Sequence, residues 1–190
     1  EMSASLVGSE MCIRDRCYND PRNAQYLYYY EEDSQMKKFS VKTVVAIGIG
    51  AALFFVLGKI AIPSFVANTN ISLQYAILAM FATLFGPIAG ALIGFIGHTL
   101  IDATSYGPWW SWIIASAVVG AIIGLMTMKL DLSDGFDKKK MIKYNIAQIV
   151  AHLVAWAVVA PVLDIVIYSE PVEKLFAQGL MASIANIITT

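Results

Sequence analysis

From residue 43 onward, long apolar runs alternate with short polar segments along the chain. A bilayer core requires about 20 mostly apolar residues per spanning helix. Five runs reach or approach this length: Thr43–Ile62, Ile71–Phe85, Ile88–Ile101, Trp109–Met128 and Ile142–Tyr168. Gly86 and Pro87 separate the second run from the third, because glycine permits a tight turn and proline is favoured at the first position of a helix. The pattern predicts an all-α, polytopic membrane protein.

The two ends of the chain depart from this pattern. A sixth apolar run begins near Leu180, so we expect a six-helix bundle in which Gln178–Thr190 supplies only the beginning of a truncated sixth helix. At the other end, LVGSEMCIRDR resembles translated adapter sequence, and Met36 followed by two lysines resembles a natural start. We therefore expect a non-native extension over 1–35 and one membrane domain over 36–190. The alternative for the extension is a genuine acidic and aromatic segment, Tyr26–Asp33, on the membrane surface.

Composition supports the membrane assignment and narrows the function. Hydrophobic residues make up 58% of the chain, charged residues 14%, and the mean hydropathy is +0.65, values far from those of soluble domains. The net charge is −1 and no basic patch with interleaved aromatics occurs, so nucleic acid is not an expected partner. Both cysteines, Cys12 and Cys17, lie in the extension. The membrane domain therefore has no thiolate for a disulfide or a metal.

Lysines collect on one predicted side of the membrane. One group precedes the first span and another occupies the segment between the fourth and fifth spans and the start of the fifth: Lys37, Lys38 and Lys42, then Lys129, Lys138, Lys139, Lys140 and Lys143. Only Lys59 and Lys174 fall on the other side. Because positive residues favour cytoplasmic loops, we expect a cytoplasmic N-terminus and a location in the bacterial cell membrane.

Small residues recur every fourth position in several spans. Such faces allow the close backbone approach by which helices associate in lipid. The repeats in the third, fourth and fifth spans predict packing within the bundle: Gly86, Gly90 and Gly94; Ser116, Gly120 and Gly124; Ala147, Ala151 and Ala155. The first span carries overlapping pairs, Ala46 with Gly50 and Gly48 with Ala52, around much of its surface. We expect a second protein to pack against the small residues of the first span that the bundle itself does not need.

Polar and aromatic residues gather toward the predicted outer ends of the spans. Polar groups at membrane depth are costly and therefore point to pathways or pockets. We predict a ligand between the third, fifth and sixth helices and the first outer loop, contacted by Asn70, Gln74, His98, Asp102, Tyr106, Trp110 and Trp156. Simpler roles stay open: an interfacial aromatic belt for the tryptophans, mutual neutralisation of His98 and Asp102, and an interhelical hydrogen-bond clasp formed by His152 together with Gln148.

No catalytic signature occurs in the membrane domain. Gly58 and Lys59 resemble the end of a phosphate-binding loop, but Leu53 replaces its first glycine and Ile60 its hydroxyl residue. A zinc site of His98, Asp102 and His152 is conceivable from its donor types, although nothing in the spacing fixes it. We expect no metal, no cofactor and no enzymatic activity.

Two stretches resemble one family of transporters. These are LFGPIAGALIGFIGHTLID, which ends at Asp102, and YGPWWSW, which begins at Tyr106. Together with the first span they resemble the S components of energy-coupling factor (ECF) transporters, in a branch near the riboflavin-type S components. The resemblance covers Met36–Thr190.

The resemblance implies a six-helix subunit that captures a vitamin or related micronutrient from outside. It also implies docking onto a coupling protein, EcfT, and two ABC ATPases, which explains the missing ATPase motif. The implied docking face comprises Ala46, Gly50 and Ala51. Two alternatives remain: a stand-alone proton-coupled carrier using Asp102, Asp164 or His152, and a membrane enzyme.

Overall fold

The computed structural model describes residues 40–64, 66 and 69–190. Counting Lys138–Tyr168 as one continuous helix, these residues form six helices: α1 Val41–Lys59, α2 Gln74–Phe85, α3 Pro87–Ala103, α4 Trp110–Thr127, α5 Lys138–Tyr168 and α6 Val172–Thr189. The all-α class is confirmed. Between α1 and α2, strands β1 (Ile62–Pro63) and β2 (Asn70–Ile71) form a small antiparallel pair. The expected extension, 1–35, lies outside the described residues.

Three of these helices, α1, α4 and α5, are long and apolar enough to cross a membrane by length and composition, and α2 and α3 are shorter apolar helices. The first predicted span extends too far, because Ile62 and Pro63 leave the helix and pair with β2. The turn at Gly86 and Pro87 is as predicted: Gly86 has a φ of 87°, and Pro87 is the first residue of α3. This turn makes two helices from one continuous apolar stretch.

The sixth helix begins earlier than the sequence pattern indicates. Its first residue is Val172, whereas we expected a start near Leu180. Polar residues in its first half hide it from a hydropathy pattern. Gln178, Ser183 and Asn186 are nevertheless buried, because α6 turns this polar stripe toward α5 and the interior rather than toward lipid.

A single π-turn interrupts α5 at Ala155–Val159. Pro161 lies two residues after its end, and a proline inside a helix removes one backbone hydrogen bond and clashes with the preceding turn. A wider turn at this point accommodates the ring. The turn carries Trp156, which is fully buried, into the centre of the bundle.

Helices α3 and α4 cross with almost no space between their backbones. A Cβ atom added to Gly90 would lie 2.5 Å from the carbonyl oxygen of Gly120, and one added to Gly120 would collide with the carbonyl of Gly90. Gly94 meets the backbone of Ser116 in the same way. The prediction that these small residues pack within the bundle is confirmed for α3 and α4.

The small residues of α1 divide between two faces. Ala46, Gly50 and Ala51 are buried inside the chain, and a Cβ on Gly50 would reach Ile93 of α3. These three residues therefore do not form the exposed docking face that we expected. The opposite face exposes Gly48 and Ala52.

We predict that Gly120→Ala destabilises the bundle by about 1–3 kcal/mol, the usual range for overpacking a close contact. The methyl group would enter the backbone of α3, which has no flexible side chain to move. The melting temperature of the purified protein in detergent measures the effect. Gly48→Ala is the matched control, since a Cβ there meets nothing within 4 Å. Equal melting temperatures for the two variants would contradict the close crossing.

Candidate substrate-binding site

The segment between α3 and α4 folds around Asp102. The backbone carbonyl of Asp102 accepts hydrogen bonds from the N–H groups of Ser105, Tyr106 and Gly107, at 3.0, 3.0 and 2.9 Å. Gly107 has a φ of 96°, which glycine adopts without strain. The chain then returns, and the backbone N–H of Trp109 donates to Oδ2 of Asp102 at 3.0 Å. One residue at the end of α3 thus fixes the start of α4.

A second buried carboxylate, Asp164 of α5, holds the same segment from the other side. Its Oδ1 accepts hydrogen bonds from Nε1 of Trp109 at 2.7 Å and from the hydroxyl of Ser111. Its Oδ2 accepts one from Nε1 of Trp112 at 3.1 Å. The side chain is 2% exposed, so its hydrogen bonds come from protein donors rather than bulk water.

A cavity of about 550 Å³ opens beside these groups, at the end of the bundle where α3 and α5 finish and α4 and α6 begin. This volume suits a small heterocyclic ligand. The outer cavity is lined by Asn70, Tyr106, Trp109, Trp112, Asp164, Glu170, Lys174, Leu175 and Gln178. Its wall therefore combines aromatic rings, amides and three charged side chains.

A smaller recess of about 60 Å³ shares Asn70, Tyr106 and Trp112 with the outer cavity. Its polar lining includes amides, hydroxyls and an imidazole: Thr69, Ser72, Gln74, Tyr75, His98 and Asn186. Trp156 forms part of its wall. The recess can accept the polar edge of a molecule whose body fills the outer cavity.

Hydrogen bonds connect the recess to the bundle interior. The hydroxyl of Ser116 lies 2.8 Å from the Tyr75 hydroxyl and within hydrogen-bond distance of Nδ1 of His98. Nε2 of His98 lies 3.5 Å from Oδ1 of Asp102, an atom that accepts no hydrogen bond from the described residues. The recess, His98 and the Asp102 turn therefore form one continuous polar network.

The structure brings five of the seven predicted ligand residues to the two compartments. Asn70 and Tyr106 line both, and Gln74, His98 and Trp156 line the recess. Partial desolvation and then the negative charge of Asp102 raise the pKa of Tyr106 to about 12, so its hydroxyl stays protonated at neutral pH.

The other two predicted residues lie elsewhere. Asp102 is completely buried beneath the turn and supports it from behind. Trp110 points away from both compartments: it is 46% exposed, and its ring stacks on Phe95 at 6.5 Å. An outward tryptophan at a helix end fits the aromatic belt that was the alternative for this residue.

Sequence reasoning assigned no site role to Glu170, Lys174 and Gln178, all of which line the outer cavity. The late predicted start of the sixth helix concealed them. Their sequence signal is weak but present: Glu170 and Lys174 are four residues apart, a spacing that favours ion pairing on helices, and Nζ of Lys174 lies 3.0 Å from Oε2 of Glu170.

Two further polar residues have structural partners. Nε2 of His152 lies 3.0 Å from the Thr190 hydroxyl, and its Nδ1 accepts the indole hydrogen of Trp156 at 3.2 Å. His152 therefore links α5 to α6, and Gln148 adds a second link, because its Nε2 donates to the carbonyl of Ile187 at 3.4 Å. Lys59 donates to the hydroxyl of Ser105 at 2.7 Å, and so ties the end of α1 to the turn after α3.

The fold and this cavity define a membrane protein built to bind a small molecule at one end. Residues 38–190 match the family of the ECF-type riboflavin transporter S component, and the chain belongs to that family. It is a transporter family rather than an enzyme family.

Curated relatives agree with this membership. The UPF0397 proteins of Staphylococcus aureus strains Mu3 and Newman are each 50% identical to this chain over 159 residues, covering 81% of this chain and 86% of the relative. No solved structure matches the chain.

We predict that Trp109→Phe lowers the free energy of unfolding by about 2 kcal/mol, because it removes one hydrogen bond to a buried carboxylate. The phenyl ring retains the stacking on Tyr168, whose ring centre lies 4.3 Å from that of Trp109. Trp110→Phe is the matched control, since no described group accepts a hydrogen bond from its indole. Thermal unfolding in detergent compares the two variants. A larger loss in the control would contradict the role of Asp164.

Proposed function

We propose that this protein is the substrate-binding membrane subunit of an ECF-type importer, which captures a vitamin-like heterocycle outside the bacterial cell. The observation that carries the proposal is the cavity of about 550 Å³, with its aromatic and amide lining and its polar recess. Aromatic faces stack on flat rings, and a few polar groups fix the orientation of the ligand. Riboflavin, named in the family description, is the first compound to test.

Charge placement supports an outward-facing cavity. Lys129 and the lysines at the start of α5 lie at the opposite end of the bundle from the cavity. Positive residues favour the cytoplasmic side. With the lysine-rich end inside, the N-terminus is cytoplasmic, the chain crosses the plasma membrane several times, and the cavity opens to the exterior.

Transport then requires partners that supply energy. Family membership supports association with an EcfT-type coupling protein and two ABC ATPases. The exposed face of α1, centred on Gly48 and Ala52, replaces the buried residues Ala46, Gly50 and Ala51 as the proposed docking surface. Small residues there permit a partner helix to approach closely.

A stand-alone proton-coupled carrier is the second candidate. Asp102, Asp164 and His152, which it would use, are each occupied in bonds that hold helices or turns together. Purification of the protein with its neighbouring gene products, followed by native mass spectrometry, separates the two. A bound ATPase module supports the importer, whereas uptake into vesicles that lack any ATPase would establish the carrier.

We predict that Trp112→Ala reduces ligand affinity about tenfold or more, since it removes an aromatic wall shared by both compartments. The heterocycle retained per protein after purification, quantified by mass spectrometry, measures the loss. Trp110→Ala is the control and should retain wild-type occupancy, because its ring lies outside the cavity. Loss of ligand only in the Trp110 variant would refute this placement of the site.

We predict that Gly48→Leu weakens co-purification of the EcfT-type protein and leaves ligand occupancy unchanged. The added side chain projects from the exposed face, where nothing within 4 Å obstructs it in this chain, and would separate the two helices. Val158→Leu, on the exposed face of α5, is the control. Full recovery of the coupling protein with Gly48→Leu would exclude this face.

A further inference from the structure

The charges around the outer cavity do not balance. Asp164, Glu170 and Lys174 are its charged lining residues. Lys174 lies 3.0 Å from Glu170 and neutralises it, which leaves the charge of Asp164. Among the described residues, no lysine or arginine forms an ion pair with Asp164. A buried carboxylate is costly unless a positive charge accompanies it.

Hydrogen bonds offset only part of the free-energy cost of burying the Asp164 carboxylate. Asp164 receives two indole N–H groups and one hydroxyl, all of them neutral donors. Asp102 adds a second buried carboxylate behind the same turn, and its nearest basic group is the imidazole of His98 at 3.5 Å. Lys59, which donates to the Ser105 hydroxyl at the same end of the bundle, forms no ion pair with either of these two carboxylates.

The rings beside Asp164 favour the same kind of ligand. Trp109, Trp112 and Tyr106 form the aromatic part of the lining, and the faces of indole and phenol rings attract cations. The two indoles direct their N–H edges toward the carboxylate. A carboxylate together with aromatic walls recognises a positively charged nitrogen rather than an anion.

We propose that the outer cavity binds a heterocycle carrying a positive charge, which lies beside Asp164 and against the ring faces of Trp109 and Trp112 that line the cavity. This inference rests on the proposed function and names the ligand class. The ligand's cationic nitrogen compensates Asp164, while its polar edge enters the recess beside Gln74 and Asn186. Phosphorylated compounds are disfavoured, because the cavity offers an anion only Lys174, which Glu170 already engages.

The test compares two probes of nearly identical shape that differ in charge. 1-Methylnicotinamide is a planar pyridinium cation, and 3-methylbenzamide is its neutral carbon isostere. Both are titrated against the tryptophan fluorescence of the full chain in nanodiscs of zwitterionic phosphatidylcholine, which avoids attraction of the cation to anionic lipid. Fragments of this size bind in the micromolar to millimolar range at best. We expect the cation to bind about tenfold or more tightly than its isostere.

Two variants at the cavity mouth should change the affinity for the cation in opposite directions. Lys174→Gln leaves Glu170 uncompensated and should tighten binding of the cation about threefold, whereas Glu170→Gln frees Lys174 and should weaken it by a similar factor. The readout is the ratio of the two affinities in each variant, because a change in the shape of the cavity mouth acts on both probes and a change in charge acts on the cation. Both side chains lie at the partly exposed mouth of the cavity, so the two variants should fold as the wild type does.

Each other result overturns the proposal. Equal or tighter binding of 3-methylbenzamide, saturation by neither probe below about 10 mM, or changes of the same sign in both variants would each exclude charge recognition. Riboflavin, a neutral heterocycle, is titrated in parallel. Riboflavin binding without cation binding would leave the proposed function standing and remove only this inference, whereas failure of all three compounds, with no ATPase module in the purified material, would remove both.

Discussion

The cavity end of this bundle depends on one tryptophan that donates hydrogen bonds to two buried carboxylates. The backbone N–H of Trp109 donates to Asp102 at the end of α3, and its indole N–H donates to Asp164 of α5. Each carboxylate is removed from water, where unpaired acceptors are costly. Both carboxylates accept a hydrogen bond from this tryptophan. These two bonds fix α3, α4 and α5 relative to one another at the site where the cavity opens.

The two ends of the bundle contain different kinds of residue at their helix contacts. Toward the lysine-rich end, glycines bring α3 and α4 into backbone contact, and little space remains between them. Toward the cavity, tryptophans and tyrosines occupy the corresponding positions, and their rings pack against one another: Trp112 on Trp156 at 5.1 Å and Trp109 on Tyr168 at 4.3 Å. Large rings cannot close together as glycines do, so a ligand-sized space remains at the cavity end.

This division suits a protein that binds a ligand at one surface and transmits nothing through its centre. His152, one of the groups that a proton-coupled carrier would use, bonds to Thr190 and Trp156, apart from the hydrogen bond between His98 and Ser116. The exposed side of α1 is apolar and carries two small residues, Gly48 and Ala52, that no described helix covers. The proposed binding site and the proposed docking surface therefore lie on different faces of the molecule.

The sequence alone determined the fold class and the end of the bundle that carries the site, because apolar run length, the Gly86–Pro87 turn and lysine placement are local or one-dimensional signals. It also predicted ligand contacts by five residues that the structure places on the lining of the cavity or its recess: Asn70, Gln74, His98, Tyr106 and Trp156. Tertiary structure decided the rest. The rotation of α1 decides whether Gly50 or Gly48 faces outward. Contacts between residues far apart in the chain decide whether Trp109 or Trp110 meets Asp164. Such contacts also bring Glu170 and Lys174 to the cavity. A hydropathy pattern reports neither helix rotation nor long-range contacts, because a buried polar stripe and an exposed one have the same composition.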